Sequence, residues 1–162
     1  MLLNKKVLFG LFLAGGISSQ AIAGWNIGGV YSHFDIGAYG LDGVALSVGH
    51  EFRQDDRKLS FMPVLQLGVG VGDDTLEIKA YYGLSLRVNY YASPSFYVFI
   101  QPAYTNVELK VSAMGKSVTA NDWEYGYGGG IGFTPTDELI LEVMFEKYDD
   151  TDVLSAGIRY RL

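Results

Sequence analysis

The chain has 162 residues, a formal net charge of −6 and no cysteine. Its acidity argues against nucleic acid as a partner, and the lack of cysteine excludes a disulfide framework. Beyond the N-terminus no run of 18 uninterrupted apolar residues occurs, which excludes a membrane-spanning helix there, while glycine (21) and tyrosine (12) are abundant.

The chain begins with an export signal. Lys5 and Lys6 precede an apolar run from Val7 to Ile17, and Ser18–Ala23 ends in an A-x-A pattern. Such a segment is a cleaved secretory signal, too short and wrongly flanked for a membrane anchor. Cleavage is predicted between Ala23 and Gly24, leaving 24–162 as one β-barrel domain.

Eight segments then alternate between apolar and polar or small residues, the period of a strand with two different faces. The first is Trp25–Ser32, and the second is Val44–Arg53 with Val44, Leu46, Val48 and Phe52 on one face. Leu59–Val71 is the third. The fourth, Ile78–Tyr90, is the clearest: Ile78, Ala80, Tyr82, Leu84, Leu86, Val88 and Tyr90 oppose Lys79, Tyr81, Gly83, Ser85, Arg87 and Asn89. The fifth, Phe96–Val111, changes phase between Pro102 and Val107, and a bulge is expected there because one extra residue inverts the alternation. Trp123–Phe133 carries glycine at positions 126, 128, 130 and 132 opposite its aromatic face. Leu139–Tyr148 and Val153–Leu162 complete the set. A turn over Asp149–Asp152 is expected to pair Tyr148 with Val153, setting Glu142 against Arg159 and Ile140 against Arg161.

The connections Arg53–Lys58, Ala92–Ser95 and Thr134–Glu138 are short. Of the other set, His33–Gly43 and Ser112–Asp122 are longer. Short turns at one end and longer loops at the other suit an outer-membrane barrel, and an even strand number leaves both termini at the short-turn, periplasmic end. Alternation alone does not separate this barrel from a secreted, lipocalin-like one with an apolar interior. The kind of residue does. A water-facing wall gains nothing from so many glycines, whereas a narrow interior must be filled without clashes. Two aromatic belts are expected at the headgroup levels, with Trp25, Phe52, Phe61, Tyr90, Tyr91, Phe96, Tyr97, Phe133 and Tyr160 at the short-turn end. At the loop end the belt holds Tyr31, Tyr39, Trp123, Tyr125 and Tyr148.

The fold class is therefore all-β: an eight-stranded antiparallel up-and-down transmembrane β-barrel. With its signal, its eight strands, Gly126–Phe133 with the following Thr-Pro-Thr-Asp turn, and the closing Gly157-Ile-Arg-Tyr-Arg-Leu162, the chain resembles the OmpA/OmpX-type small outer-membrane barrels of Gram-negative bacteria. The resemblance implies partners in outer-membrane lipid and lipopolysaccharide, and a last strand read by the outer-membrane assembly machinery through Ile158, Tyr160 and Leu162. In the family that strand usually ends in phenylalanine, from which Leu162 departs. The resemblance also implies a structural or surface role such as envelope integrity or adhesion, with the surface ligand open.

With polar faces inward, Glu51, Lys79, Arg87, Glu124, Glu142, Glu146, Arg159 and Arg161 are expected to form a structural ion network that fills the lumen. Eight strands leave room for side chains and no open pore. No cofactor site is expected: Gly128–Gly130 and Gly68–Gly70 are not phosphate loops, because no helix follows them. Asp73-Asp74 and Asp149–Asp152 are acidic loops, read as solvated turns in preference to cation sites. Catalysis is not expected. A lipid A-modifying enzyme would need a serine, histidine and carboxylate in reach of one another. His50 points away from Glu51 and Ser47, and only the group Ser32, His33 and Asp35 is conceivable. A narrow small-solute channel is the other alternative.

Overall fold

The computed structural model describes residues 21–54, 58–71, 76–113 and 116–162. Strands β1 (Ala21–Ile36), β2 (Tyr39–Gln54), β3 (Leu59–Val71), β4 (Leu76–Ser93), β5 (Phe96–Ala113), β6 (Lys116–Phe133), β7 (Leu139–Lys147) and β8 (Thr151–Arg161) follow in chain order. Each pairs antiparallel with its neighbour, and β8 pairs with β1 to close the barrel. Closure leaves no unpaired sheet edge to face lipid. All eight expected strands are present. The signal region 1–20 and the Asp73-Asp74 pair lie outside the described residues, and the expected cleavage point falls inside β1.

The alternation of the sequence becomes two surfaces. On β7, Leu141, Val143 and Phe145 point out while Ile140, Glu142, Met144 and Glu146 are buried inside. The same holds for β3, where Phe61, Leu65 and Leu67 face out and Ser60, Met62 and Val64 face in. The outer wall is large and apolar, with Leu46 68% exposed and Ile100 63%. The buried interior contains Arg87, Arg159, Glu51 and Glu142. A water-soluble barrel has the reverse arrangement.

Interior glycines leave room for aromatic rings on the neighbouring strand. Gly132 pairs with Tyr97 and Gly130 with Phe99, and a Cβ on either glycine would run into the facing ring. Gly68 stands in the same relation to Tyr81.

The structure departs from the expected map in five places, each set by pairing. The His33–Gly43 segment is not a loop: β1 and β2 continue to Ile36↔Tyr39 and turn at Gly37-Ala38, with Gly37 at φ 62, where a side chain would be strained. Likewise β5 and β6 stay paired to Ala113↔Lys116, so Ser112–Asp122 is largely strand. No bulge interrupts β5 between Pro102 and Val107, because its register with β6 is continuous. Val107 and Leu109 instead face inward, while Glu108 and Lys110 take the outer face. The phase change in the sequence marks where the strand leaves the lipid level and its outer wall turns polar. A bulge does occur on β4: the register shifts between Ile78 and Ala80, leaving Lys79 unpaired. It turns Ile78 into an apolar cluster with Phe34, Leu41 and Tyr81. Finally, β7 and β8 are offset by two residues from the expected register, with Glu146↔Val153 and Ile140↔Arg159. The Tyr148 amide donates to the Thr151 carbonyl and Lys147 pairs with Asp152 at 2.7 Å, which tightens the turn. A two-residue slip leaves every side chain on its expected face.

Candidate functional site

The middle of the lumen is crossed by a charged septum. Glu142 on β7 accepts from Arg87 Nη1 and from the Tyr97 hydroxyl through Oε1, and from Arg159 Nε at 2.7 Å through Oε2. Arg87 and Arg159 are 1% and 2% exposed. Arg87 lies over the Phe99 ring at 4.0 Å and donates through Nε to Gln101 Oε1 at 2.8 Å. Gln101 then donates from Nε2 to Glu146 at 2.9 Å. The residues come from β4, β5, β7 and β8, so the septum ties opposite walls together. Two guanidinium groups against one buried carboxylate offset the large desolvation cost of each charge. Arg159 still keeps one nitrogen, Nη1, without a partner.

Toward the terminus end a second carboxylate, Glu51, accepts from Ser60 (2.6 Å), Tyr91 (2.6 Å) and Asn89 (3.5 Å). Arg161 approaches it at 3.6 Å. Toward the hairpin end the lumen opens into a cavity of about 310 Å³, bounded by Ser32, Phe34, Tyr81, Gln101, Thr105, Glu124, Glu146, Tyr148 and Val153 among others.

Seven of the eight expected lumen charges thus face inward: Glu51, Arg87, Glu124, Glu142, Glu146, Arg159 and Arg161. Lys79 does not. The β4 bulge turns it outward, where it pairs with Glu108 at 3.1 Å. Sequence reasoning missed the uncharged members. Tyr91 and Tyr97 were expected in the outer aromatic belt, but both are buried in the lumen, and Tyr148 also points inward, to Thr105 and Glu146. For Tyr97 and Tyr148 the signal is a glycine on the facing strand, Gly132 and Gly126, which leaves room for the ring on the inside. Trp25, Phe61, Phe133 and Tyr160 remain on the outer wall near the terminus end, and Tyr31, Trp123 and Tyr125 near the hairpin end.

On the outer face, above the apolar band, His33 Nδ1 lies 2.7 Å from Asp42 and Nε2 lies 3.6 Å from Asp35. The hydrogen bond to Asp42 raises the His33 pKa, and the same contact lowers that of Asp42. Ser32 sits on the opposite face, its hydroxyl 2.8 Å from that of Ser155 inside the lumen. The serine, histidine and carboxylate of that segment therefore do not converge. His50 packs between Trp25 and Phe52 on the outer wall. Among the described residues no group of three or more potential metal ligands forms. Ile158 and Tyr160 face outward on β8, and Leu162, just past its end, is exposed.

The family model described as the outer membrane protein beta-barrel domain matches residues 9–161. No curated protein sequence matches the chain. Among solved structures the fold is similar to Ail, the attachment invasion locus protein of Yersinia pestis, at 16% identity and a TM-score of 0.64, covering 88% of this chain and 99% of that one. It is also similar to the N-terminal β-barrel domain of Pseudomonas aeruginosa OprF, at 9% identity and a TM-score of 0.63, covering 85% and 97%. Neisserial surface protein A aligns at 12% identity and a TM-score of 0.56, covering 86% and 97%. At these identities the likeness is one of fold. With its closed eight-stranded wall, apolar exterior and charged lumen, the chain belongs to the outer membrane protein beta-barrel domain family and is a small β-barrel of the outer membrane.

Proposed function

We propose that the protein is a non-catalytic structural and cell-surface component of the outer membrane, with a lumen sealed by its own side chains. The observation that carries this reading is the Arg87–Glu142–Arg159 septum, built from three strands across the middle of the barrel. Both termini lie at the periplasmic end, and the hairpins at Gly37-Ala38 and between β5 and β6 stand outside the cell. Outer-membrane lipid and lipopolysaccharide contact the apolar wall. The outward row Ile158, Tyr160 and Leu162 serves as the assembly signal after the leader is removed between Ala23 and Gly24.

A surface-contact role is supported by the likeness to an attachment protein, although the ligand class differs. Ail has been crystallised with the heparin analogue sucrose octasulfate, a polyanion. Here the hairpin end carries Asp35, Asp42, Asp122, Glu124, Asp149 and Asp150, and a polyanion would be repelled by them.

Two measurements test the reading. The purified barrel in a planar bilayer should give no steady conductance, whereas Arg87→Ala, Glu142→Ala and Arg159→Ala combined should open one. Steady large channels from the unmodified protein would overturn the sealed lumen. Because the chain has no cysteine, Ala38→Cys provides a single label site. A membrane-impermeant maleimide should label it on intact cells. Lipid A whose acyl pattern changed with the protein's presence would favour the enzyme alternative.

A further inference from the structure

We propose that the cavity at the hairpin end is a binding site for a small organic cation with an apolar body, such as a substituted ammonium ion. Three observations converge on it. The first is charge. Asp122, Glu124, Glu146 and Asp150 bound the cavity, and among the described residues no lysine, arginine or histidine does. Lys79 and Lys110, on the same strands, point to the outer face and pair with Glu108 and Glu77.

The second is a buried carboxylate with no ion-pair partner among the described residues. Glu142 and Glu51 each have a guanidinium within 4 Å. Glu146 is buried but accepts only from neutral groups, Gln101 at 2.9 Å and the Tyr148 hydroxyl at 3.4 Å. Arg87 bonds Glu142 and Gln101 instead. Arg87 acts on Glu146 only from a distance; a buried carboxylate with no cation in contact is costly, and a bound cation would supply that contact.

The third is the rest of the wall. The Tyr81 hydroxyl is buried at the cavity, where Ser32 and Gln66 lie near it but neither makes a well-formed hydrogen bond to it. The rings of Tyr81, Tyr148 and Phe34 line the same space, and aromatic faces beside a carboxylate are the environment that ammonium ions favour. Leu109 and Val153 complete an apolar side for the ligand's body. The lining thus selects against anions and against fully hydrated inorganic cations. The inference is independent of which side of the membrane the cavity faces.

The probe is benzyltrimethylammonium, with benzenesulfonate as the ion of similar body and opposite charge. Each is titrated against the full barrel in phosphatidylcholine nanodiscs, open to solvent on both sides, and the Tyr81 and Tyr148 ring signals are followed by NMR. Saturable shifts are expected with the cation and none with the anion. Glu146→Gln should weaken binding by about tenfold, in line with loss of a charge-assisted contact. Glu124→Gln is the second variant, because Glu124 makes no side-chain hydrogen bond or ion pair among the described residues, so the fold does not depend on it. It should weaken binding by a smaller factor. Heat-modifiable migration on a gel verifies that each variant is folded. Equal response to both ions, no response to either, or unchanged affinity in folded Glu124→Gln and Glu146→Gln would each overturn the proposal.

Discussion

Replacing Glu142 by glutamine should destabilise the barrel more than any other single isosteric change in the lumen. Glu142 is the acceptor for Arg87, Arg159 and Tyr97. Removing its charge leaves two guanidinium groups, both almost fully buried, with no carboxylate between them. Breaking a buried pair in this way costs about 3–5 kcal/mol. That is a large part of a total stability of about 5–15 kcal/mol. The amide keeps one acceptor oxygen, which places the expectation near the lower figure, about 3 kcal/mol. Urea unfolding of the refolded protein, followed by the fluorescence of Trp25 and Trp123, reads the change. With a slope of about 1–3 kcal/mol per molar urea, the midpoint should fall by at least about 1 M. The double variant with Arg159→Met is the stricter test. Arg159 makes its one ion pair with Glu142, so removing both should cost less than the sum of the two single changes, by about 0.5–3 kcal/mol. A loss below about 1 kcal/mol for Glu142→Gln, or strict additivity in the cycle, would refute the view that the septum is one coupled unit.

Three further outcomes are expected. Gly132→Ala should displace the Tyr97 ring and cost about 1–3 kcal/mol by overpacking, whereas Gly29→Ala, which meets nothing within 4 Å, should fall within about 0.5 kcal/mol of neutral; urea midpoints of the two variants make the comparison. The His33–Asp42 contact should hold the β1–β2 hairpin best in an intermediate pH window. Because the His33 pKa is raised, its share is complete below the ordinary imidazole value and is lost as pH rises through the raised one. Because the Asp42 pKa is lowered, its share is complete above the ordinary carboxylate value and is lost as pH falls through the depressed one. Asp42→Asn should return His33 toward its ordinary titration by NMR, and an unchanged titration would contradict the assignment. Leu162→Phe should speed membrane insertion in cells without moving the urea midpoint, since Leu162 is exposed and contributes only its backbone amide, bonded to the Trp25 carbonyl at 2.8 Å.

The strand count, the apolar exterior and the inward direction of most lumen charges are legible in the sequence, because each depends only on the two-residue period of a strand. Leu141, Val143 and Phe145 face lipid for the same local reason that Glu142 and Glu146 face the lumen. What the sequence could not determine is anything carried by pairing between strands. A bulge at Lys79 is invisible without β5 beside it, and it alone sends that lysine outward. A two-residue slip between β7 and β8 leaves the alternation unchanged but decides that Arg159 reaches Glu142 diagonally rather than from directly across. Tyr91 and Tyr97 have the composition of belt residues, although alternation with the outward Tyr90 and Val98 already turns them inside; that their rings meet there is decided by the pairing of β4 with β5. The strand extensions beyond the lipid level looked like loops because their outer wall is polar and the apolar-out rule ends there. The local chain dictates which way a side chain points; the closed sheet alone decides which side chains meet, and both the septum and the acidic cavity above it exist only at that second level.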